Sequence, residues 1–449
     1  MPVRNLIILV LAIIFSVACA AQAQRMKFAG KLGLAIQLIE DNYVDPVEGH
    51  DLFAGAMDGL TKKLDEHSQY IPPRQFQEFQ STIEQKFGGI GIQIEGPPAI
   101  SRLTVVSPIP NTPAFKAGIQ AGDTILEIDG KSTLGLSSED SLKLMRGEIG
   151  TAVELLVQRM DSLQQARVKL VRANIEVDSV YGDRVLPDGT WDYFLKEDSR
   201  IAYVRVVLFG ERTTDEFKAA LDRVKSRARA LVIDLRFNPG GILPAAVDMC
   251  DMLIHEGVIV RTIGRNSIFN SDLQATTGVS FDETIPIVVL INGDSASASE
   301  IMAGCLQDLG RAKVAGSRSY GKGTVQQVFE MGGNSSGLKF TTARFHRPSF
   351  QNIHRSQDMT EEDEWGIRPD ADLNLPLTDL QQIYLNRRWH MRGDLRIMSK
   401  SERPPEPMFA ADPQLELVVG YLQNKHLDNR TSETAGQQAP AHAPLDTAP

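Results

Sequence analysis

The sequence predicts a multidomain protein with an α/β core of buried strands, a small β-rich module inserted ahead of it, and a helical N-terminal segment. Three observations predict this. The 449 residues are too many for one compact hydrophobic core. Composition changes at Phe87, from helix-spaced apolar residues to short, glycine-rich, β-branched runs. Beyond Ile175, near-continuous Val/Ile/Leu runs alternate with amphipathic helices, as strands covered on both faces require. With 42% apolar and 23% charged residues the chain is of ordinary globular composition, and a formal charge of −10 argues against a general nucleic-acid binder.

The elements follow in order. Residues 1–23, MPVRNLIILVLAIIFSVACAAQA, set one arginine before an apolar run and end in small residues, the build of a secretory signal peptide cleaved after Ala20 or Ala23. The apolar run is short for a spanning helix, and an uncleaved anchor is the alternative. In residues 24–82, AGKLGLAIQLIEDNYV and HDLFAGAMDGLTKKLDEH carry apolar residues at three- and four-residue spacings, until Pro72-Pro73 breaks the pattern. Residues 83–174 form the β-rich module. FGGIGIQIEG and SRLTVVSPI read as strands, and AFKAGIQAGDTILEIDG as a short helix, a turn and a strand. SSEDSLKLMRG is a helix, and TAVELLVQRM and ARVKLVRA are strands.

Residues 175–385 are the α/β core. RIAYVRVVLF, ALVIDLRF and PIVVLING are strands, each followed by a helix, and GTVQQVFEM and GLKFTTARF are further strands. Residues 386–423 are a C-terminal extension. Residues 424–449 turn polar and then Pro/Ala-rich, and are expected to be disordered. With the signal removed only Cys250 and Cys305 remain. Neither has metal-ligand spacing, so buried thiols are expected, although export permits one bridge.

Two junctions have the build of a site. DLRFNPGG runs from a buried strand through Gly240-Gly241 into a helix, and such a turn presents backbone N–H groups. INGDSASASE likewise runs from strand to helix, with Ser295, Ser297 and Ser299 at alternate positions. A nucleophile there would sit at a helix N-terminus, where an oxyanion is stabilised. The bland alternative is specific, because Ser297-Ala298-Ser299-Glu300 is also a capping box with Ser297 as N-cap. A serine nucleophile needs a base. The histidines show no carboxylate partner pattern, whereas GSRSYGKGTVQQV sets Lys322 between two glycines ahead of a strand, and a lysine buried enough to be neutral can serve. Gly316 to Lys322 match the first seven positions of a P-loop, but Gly323 replaces its Ser/Thr and a strand replaces its helix. The glycines of FGGIGIQIEG fail the dinucleotide fingerprint, with Ile94 at its third glycine.

Taken together, NYVDPV, LDEHSQY, FGGIGIQIE, AFKAGIQAGDTILEIDG, DLRFNPGG, SASASEIMAGCLQD, YGKGTVQ and WGIRPDADL, in this order, resemble the carboxy-terminal processing proteases. These are S41-type serine peptidases with an inserted PDZ domain. The resemblance implies a protease core of the crotonase/Clp-protease-like ββα type with the PDZ domain at 83–174. It implies a serine endopeptidase acting on exported proteins near their C-termini through a Ser–Lys dyad. Ser297 would be the nucleophile, Lys322 the base and Gln326 the residue positioning the amine. Ala298 would give one oxyanion N–H and the Gly240-Gly241 turn the other. Gly88, Gly89, Ile90, Gly91 and Ile92 would receive a substrate's C-terminal carboxylate in the PDZ groove, with a purely regulatory module as the alternative. No metal and no cofactor is implied. Partners would be protein or peptide substrates with free C-termini, with an adaptor or regulator and homo-oligomerisation left open and no nucleic acid. The location would be the periplasm or cell envelope. Rival readings are a non-catalytic PDZ scaffold on a protease-like core, and an acyl-CoA enzyme of the crotonase type, which the Ser/Lys pair and the PDZ module do not suit.

Overall fold

The computed structural model describes residues 5, 27–95, 103–109, 111–120, 122–160, 162–186, 190–265, 267–276, 278–332, 336–392 and 412–428. The expected signal peptide therefore lies almost wholly outside the described residues, as do residues 429–449 of the expected tail. Among the described residues, no helix is long and apolar enough to cross a membrane. The chain divides into two compact units, residues 1–77 with 326–341, and residues 78–325 with 342–449.

In the first unit, helices Lys27–Asn42 and Gly49–Thr61 precede a short strand, Gln69–Ile71. That strand pairs antiparallel with Gly337–Lys339. Phe53 meets Tyr70 edge to face at 5.7 Å, and Phe329 stacks on Phe340 at 4.8 Å. The sequence assigned residues 326–341 to the α/β core. Their strands also take Gln69–Ile71 as a partner, a pairing that local periodicity does not reveal.

The second unit contains the β-rich module and the α/β core. The module is entered by β1 (Lys86–Gly89) and continues through β2 (Ile92–Glu95), β3 (Leu103–Pro108), α1 (Pro113–Lys116), β4 (Thr124–Ile128), β5 (Lys131–Ser132), α2 (Ser138–Met145), β6 (Ala152–Gln158), β7 (Gln165–Val171) and β8 (Ala173–Glu176). Its main sheet has the order β2-β3-β4-β6-β7, so β2 lies at an edge. The exit strand β8 pairs antiparallel with the entry strand β1, Lys86 opposite Glu176, and closes the module at its base. Helix α2 is capped by Ser137, whose side chain accepts the Asp140 N–H.

The core sheet has the order β9 (Val180–Tyr181), β10 (Ile201–Val206), β11 (Ala230–Asp234), β12 (Ile287–Ile291) and β13 (Ala312–Gly316). Strand β9 is antiparallel and the others run parallel. Both faces are covered, which explains the unbroken apolar runs. Ala202, Val204 and Val206 pack into one core with α3 (Thr213–Val224), α4 (Leu243–Asp251) and α5 (Ala298–Asp308). Ile201 and Tyr203 face the other way, toward Leu385 and Trp389 of α6 (Asp379–Arg392) and Leu415, Val418 and Leu422 of α7 (Pro413–Leu422). The expected extension is thus the second cover of the sheet. Residues 423–427 continue as a π-helical turn that buries Leu427, so order extends past the expected tail boundary at 424. Cys250 of α4 and Cys305 of α5 are buried free thiols, and contact with Cys305 together with burial pushes the Cys250 thiol up.

A buried ionic network ties α7 to the sheet. Arg236 is fully buried and donates to both oxygens of Asp234, to both oxygens of Asp412 and to Gln414. The Tyr203 hydroxyl completes Asp234 at 2.6 Å. Asp412 also caps α7 by accepting the Leu415 N–H. Removing one partner of a buried pair strands the other charge in a medium that solvates it poorly. Asp412→Ala is expected to lower the unfolding free energy by about 3–5 kcal/mol. The measurement is a denaturant titration, and an unchanged midpoint would show that the network carries no stability.

Candidate active site

Strands β11 and β12 are parallel neighbours, so their carboxyl ends finish at one edge, where α/β sheets present ligand sites. The Leu235 N–H donates to the Leu290 carbonyl and extends the ladder by one rung before both chains turn. Side chains then stitch the two turns together. Asn292 Oδ1 accepts the Phe237 N–H at 2.8 Å. The Ser295 hydroxyl donates to the Leu235 carbonyl and accepts the Asn292 N–H. The Asn238 carbonyl accepts from the Ala296 N–H and the Ser299 hydroxyl, while the Asn238 amide donates to the Val206 carbonyl. Ser295 and Ser299 are wholly buried in these contacts, whereas Ser297 is only half-buried.

Ser297 is no ordinary cap. Its backbone stands at φ 55°, ψ −112°, whereas an N-cap residue is normally extended. Phe237 at φ 62°, Gly240 at φ 101° and Gly241 at φ 149° belong to the facing turn. Such conformations cost about 1–3 kcal/mol at a non-glycine residue and gather at functional sites. A Cβ at Gly240 would stand 2.9 Å from Ser297 Cβ and 3.0 Å from Ala298 N. Glycine is therefore what keeps the space before the first N–H of α5 open. The Gly240 N–H donates to Asn238 Oδ1 at 2.9 Å, so it is committed inside its own turn. Gly240 thus has a steric role in the turn, and Gly241, the other glycine expected to offer an N–H there, is exposed.

Glu300 joins Ser297 to the loop carrying Lys322. Its carboxylate is buried and accepts four hydrogen bonds. The Ser319 hydroxyl and Gly321 N–H donate to Oε1, and the Ser297 N–H and Lys322 N–H both donate to Oε2 at 2.8 Å. The amide nitrogens of Ser297 and Lys322 are thus no further apart than twice that distance. Burial pushes the Glu300 carboxyl above the ordinary carboxylate value, and the four donors oppose that shift. Gly321 and Gly323 allow the loop to press against its neighbours. A Cβ at Gly321 would meet Arg355 Cβ at 2.8 Å, and one at Gly323 would meet His354 N at 2.5 Å. Lys322 itself is half-buried. Gln326 belongs to the first unit, where its amide donates to Thr341 Oγ1.

In the module, the loop between β1 and β2 has its carbonyls committed. Ile90 O accepts the Ala114 N–H, and Gly91 O accepts the Ile109 N–H and the Thr112 hydroxyl. Gly91 has φ 76°, and a Cβ there would collide with Thr112. Ile90 and Ile92 are buried in the module's core together with Met145 of α2. The sequence did not single out Asn238, Asn292 or Ser319. Asn238 and Asn292 each follow a buried strand closely, a position where a side-chain amide can organise a turn.

Comparison with known proteins defines the class. The profile of Peptidase family S41 matches residues 200–373, and that of the PDZ domain matches residues 104–159. A carboxy-terminal-processing protease of Bartonella bacilliformis is 33% identical over 396 residues, covering 85% of each chain. A carboxyl-terminal-processing protease of Picosynechococcus is 33% identical over 319 residues, 71% of this chain and 74% of the relative. Among solved structures, a photosystem II D1 C-terminal processing protease is 26% identical and covers 78% of this chain and 95% of its own, with a TM-score of 0.41. The protein is a serine peptidase carrying a PDZ domain. The chain belongs to the carboxy-terminal processing proteases of peptidase family S41.

Glu300→Gln keeps the shape of the side chain but turns one acceptor oxygen into a donor facing N–H and O–H groups. It is expected to reduce the rate of proteolysis about a hundredfold through misplacement of the adjoining backbone. Ser299→Ala is expected to cost only about 1 kcal/mol of stability and to leave the peptidase active. Hydrolysis of an unfolded protein, measured beside thermal unfolding, checks both.

Proposed function

We propose that Ser297 is the nucleophile of this peptidase, that Lys322 is its general base, and that Gln326 positions the lysine amine. The observation carrying this reading is the single Glu300 oxygen that accepts the backbone N–H groups of both Ser297 and Lys322. Ser297 Oγ attacks the carbonyl carbon of the scissile peptide bond, and its proton passes to the neutral Lys322 amine. The carbonyl oxygen becomes an oxyanion facing the Ala298 N–H and the Gly241 N–H, where fixed dipoles stabilise it. As the intermediate collapses, Lys322 returns the proton to the leaving nitrogen and an ester remains on Ser297. Lys322 then takes a proton from water, the hydroxide attacks the ester, and the product leaves with a new carboxylate while Ser297 regains its proton.

The finer descent of the core, a ββα repeat of the crotonase and Clp-protease type, is supported by the strand–helix succession β11-α4 and β12-α5. The PDZ module is proposed to bind substrate C-termini along the edge of β2, with residues 88–92 at the carboxylate end. The apolar leader supports export to the periplasm or cell envelope. The rival scaffold reading is disfavoured by the strained Ser297 backbone, which a non-catalytic cap has no need to maintain.

Ser297→Ala and Lys322→Met should each reduce hydrolysis of an unfolded protein substrate at least about a thousandfold while leaving the fold intact. A serine-directed fluorophosphonate should label the wild-type chain at Ser297. Full activity in Ser297→Ala would sink the assignment. A peptide with a free C-terminus should compete for substrate where its amide does not, and equal competition by both would remove carboxylate recognition.

A further inference from the structure

A cleft of about 1070 Å³ separates one face of the PDZ module from the protease core. Pro108, Ile109 and Phe115 wall it on the module side, and Tyr193, Phe237 and Trp389 on the core side. Arg205 of β10 opens onto it while only 8% exposed. Its guanidinium lies over the Trp389 ring, 4.3 Å from the centroid. Its Nε is buried with no hydrogen-bond partner.

No ion pair involves Arg205 among the described residues, and the cross-strand geometry explains why. Its neighbour on one side is Tyr181 and on the other Asp234. Asp234 is already held on both oxygens by Arg236 and on one by Tyr203. Of the acids at the cleft, Glu216 accepts the Ser179 N–H, the Ser179 hydroxyl and the Val180 N–H, and Glu176 pairs with Arg212. Asp178 lies on the same wall, and Lys116 and Arg223 add positive charge. The floor therefore holds a buried guanidinium with unused donors on an aromatic platform. Burying a charge is costly unless an opposite charge meets it, and a guanidinium fork matches a carboxylate.

We propose that this cleft binds the C-terminal carboxylate of a peptide, with Arg205 as its anion partner and the apolar walls holding the last side chains. The choice of an α-carboxylate rests on the peptidase reading, since hydrolysis creates one in every turnover and the substrate brings another. This site is separate from the PDZ groove, whose carboxylate loop lies at residues 88–92.

The test uses the full chain carrying Ser297→Ala, so that binding is read without cleavage. The probes are N-acetyl-Leu-Ala with a free carboxylate, the same dipeptide as its amide, and N-acetyl-Glu-Leu as its amide. Intrinsic tryptophan fluorescence reports the cleft, because two of the three tryptophans, Trp191 and Trp389, line it and the PDZ module contains none. The acid should change the emission saturably and bind at least tenfold more tightly than its amide. Arg205→Met should abolish that preference, yet match or exceed the parent in its denaturant midpoint, because it removes a buried charge that no described carboxylate hydrogen-bonds. A structural arginine would instead destabilise the fold when replaced. The proposal is overturned if acid and amide bind alike, if no saturable change occurs, or if Arg205→Met still prefers the acid. Binding of the glutamyl amide as tight as the acid would overturn the C-terminal assignment. If the parent chain with Ser297 intact proved inactive while the acid still bound through Arg205, the peptidase reading would fail and the site would stand.

Discussion

The site depends on one buried carboxylate. Glu300 is almost wholly buried, and its burial is tolerable only because four donors surround it. Those donors come from the residue before α5 and from the loop after β13, which are not adjacent in sequence. Satisfying the carboxylate therefore sets where both segments run. The electrostatic requirement of a structural residue becomes the positional requirement of two others. Ser319 extends the arrangement outward by donating to Glu300 while accepting the Ile367 N–H.

A second constraint holds the backbone in conformations it would not adopt alone. Phe237 and Ser297 both have positive φ, and each stands where a neighbouring turn over-determines it. Phe237 is gripped through its N–H by Asn292, and Ser297 through its N–H by Glu300. Asn238, fully buried, links the two turns through its carbonyl and ties its own turn back to β10 through its amide. The strain is distributed over the side-chain amides and hydroxyls of the two turns, of which Asn292 engages through its oxygen while its Nδ2 stays buried without a partner. The hydroxyls of Ser295 and Ser299 serve this framework, and that separates them from Ser297.

Much of this was legible in the sequence. The α/β succession and the β-rich module followed from apolar patterning, because burial on both faces of the core sheet leaves unbroken Val/Ile/Leu runs such as Ala230–Asp234. The strand–turn–helix junctions at Gly240 and Ser297 were visible as glycine and small-residue signals. Three things were not. The pairing of Gln69–Ile71 with Gly337–Lys339 joins segments far apart in the sequence and carries no local mark. The function of Glu300 was half visible, since a capping box explains its bond to Ser297 but not its bonds to Gly321 and Lys322. The steric demand at Gly240 was not visible, because pattern cannot tell a glycine chosen for its N–H from one chosen for its missing side chain.

Two buried arginines on the same face of the core sheet sharpen the distinction between structure and function. Arg236 has every donor direction occupied by Asp234, Asp412 and Gln414, and the energetic logic is complete within the chain. Arg205, on the neighbouring strand and opposite that same Asp234, has an aromatic ring and an open cleft. Both guanidiniums were desolvated by folding, but among the described residues only Arg236 is met by hydrogen-bonded carboxylates. A cation–π contact is worth about 2 kcal/mol when desolvated, short of what a charge loses on being largely withdrawn from water. The shortfall at Arg205 is what a second carboxylate would supply, and the cleft between the PDZ module and the protease core is the opening onto which Arg205 faces.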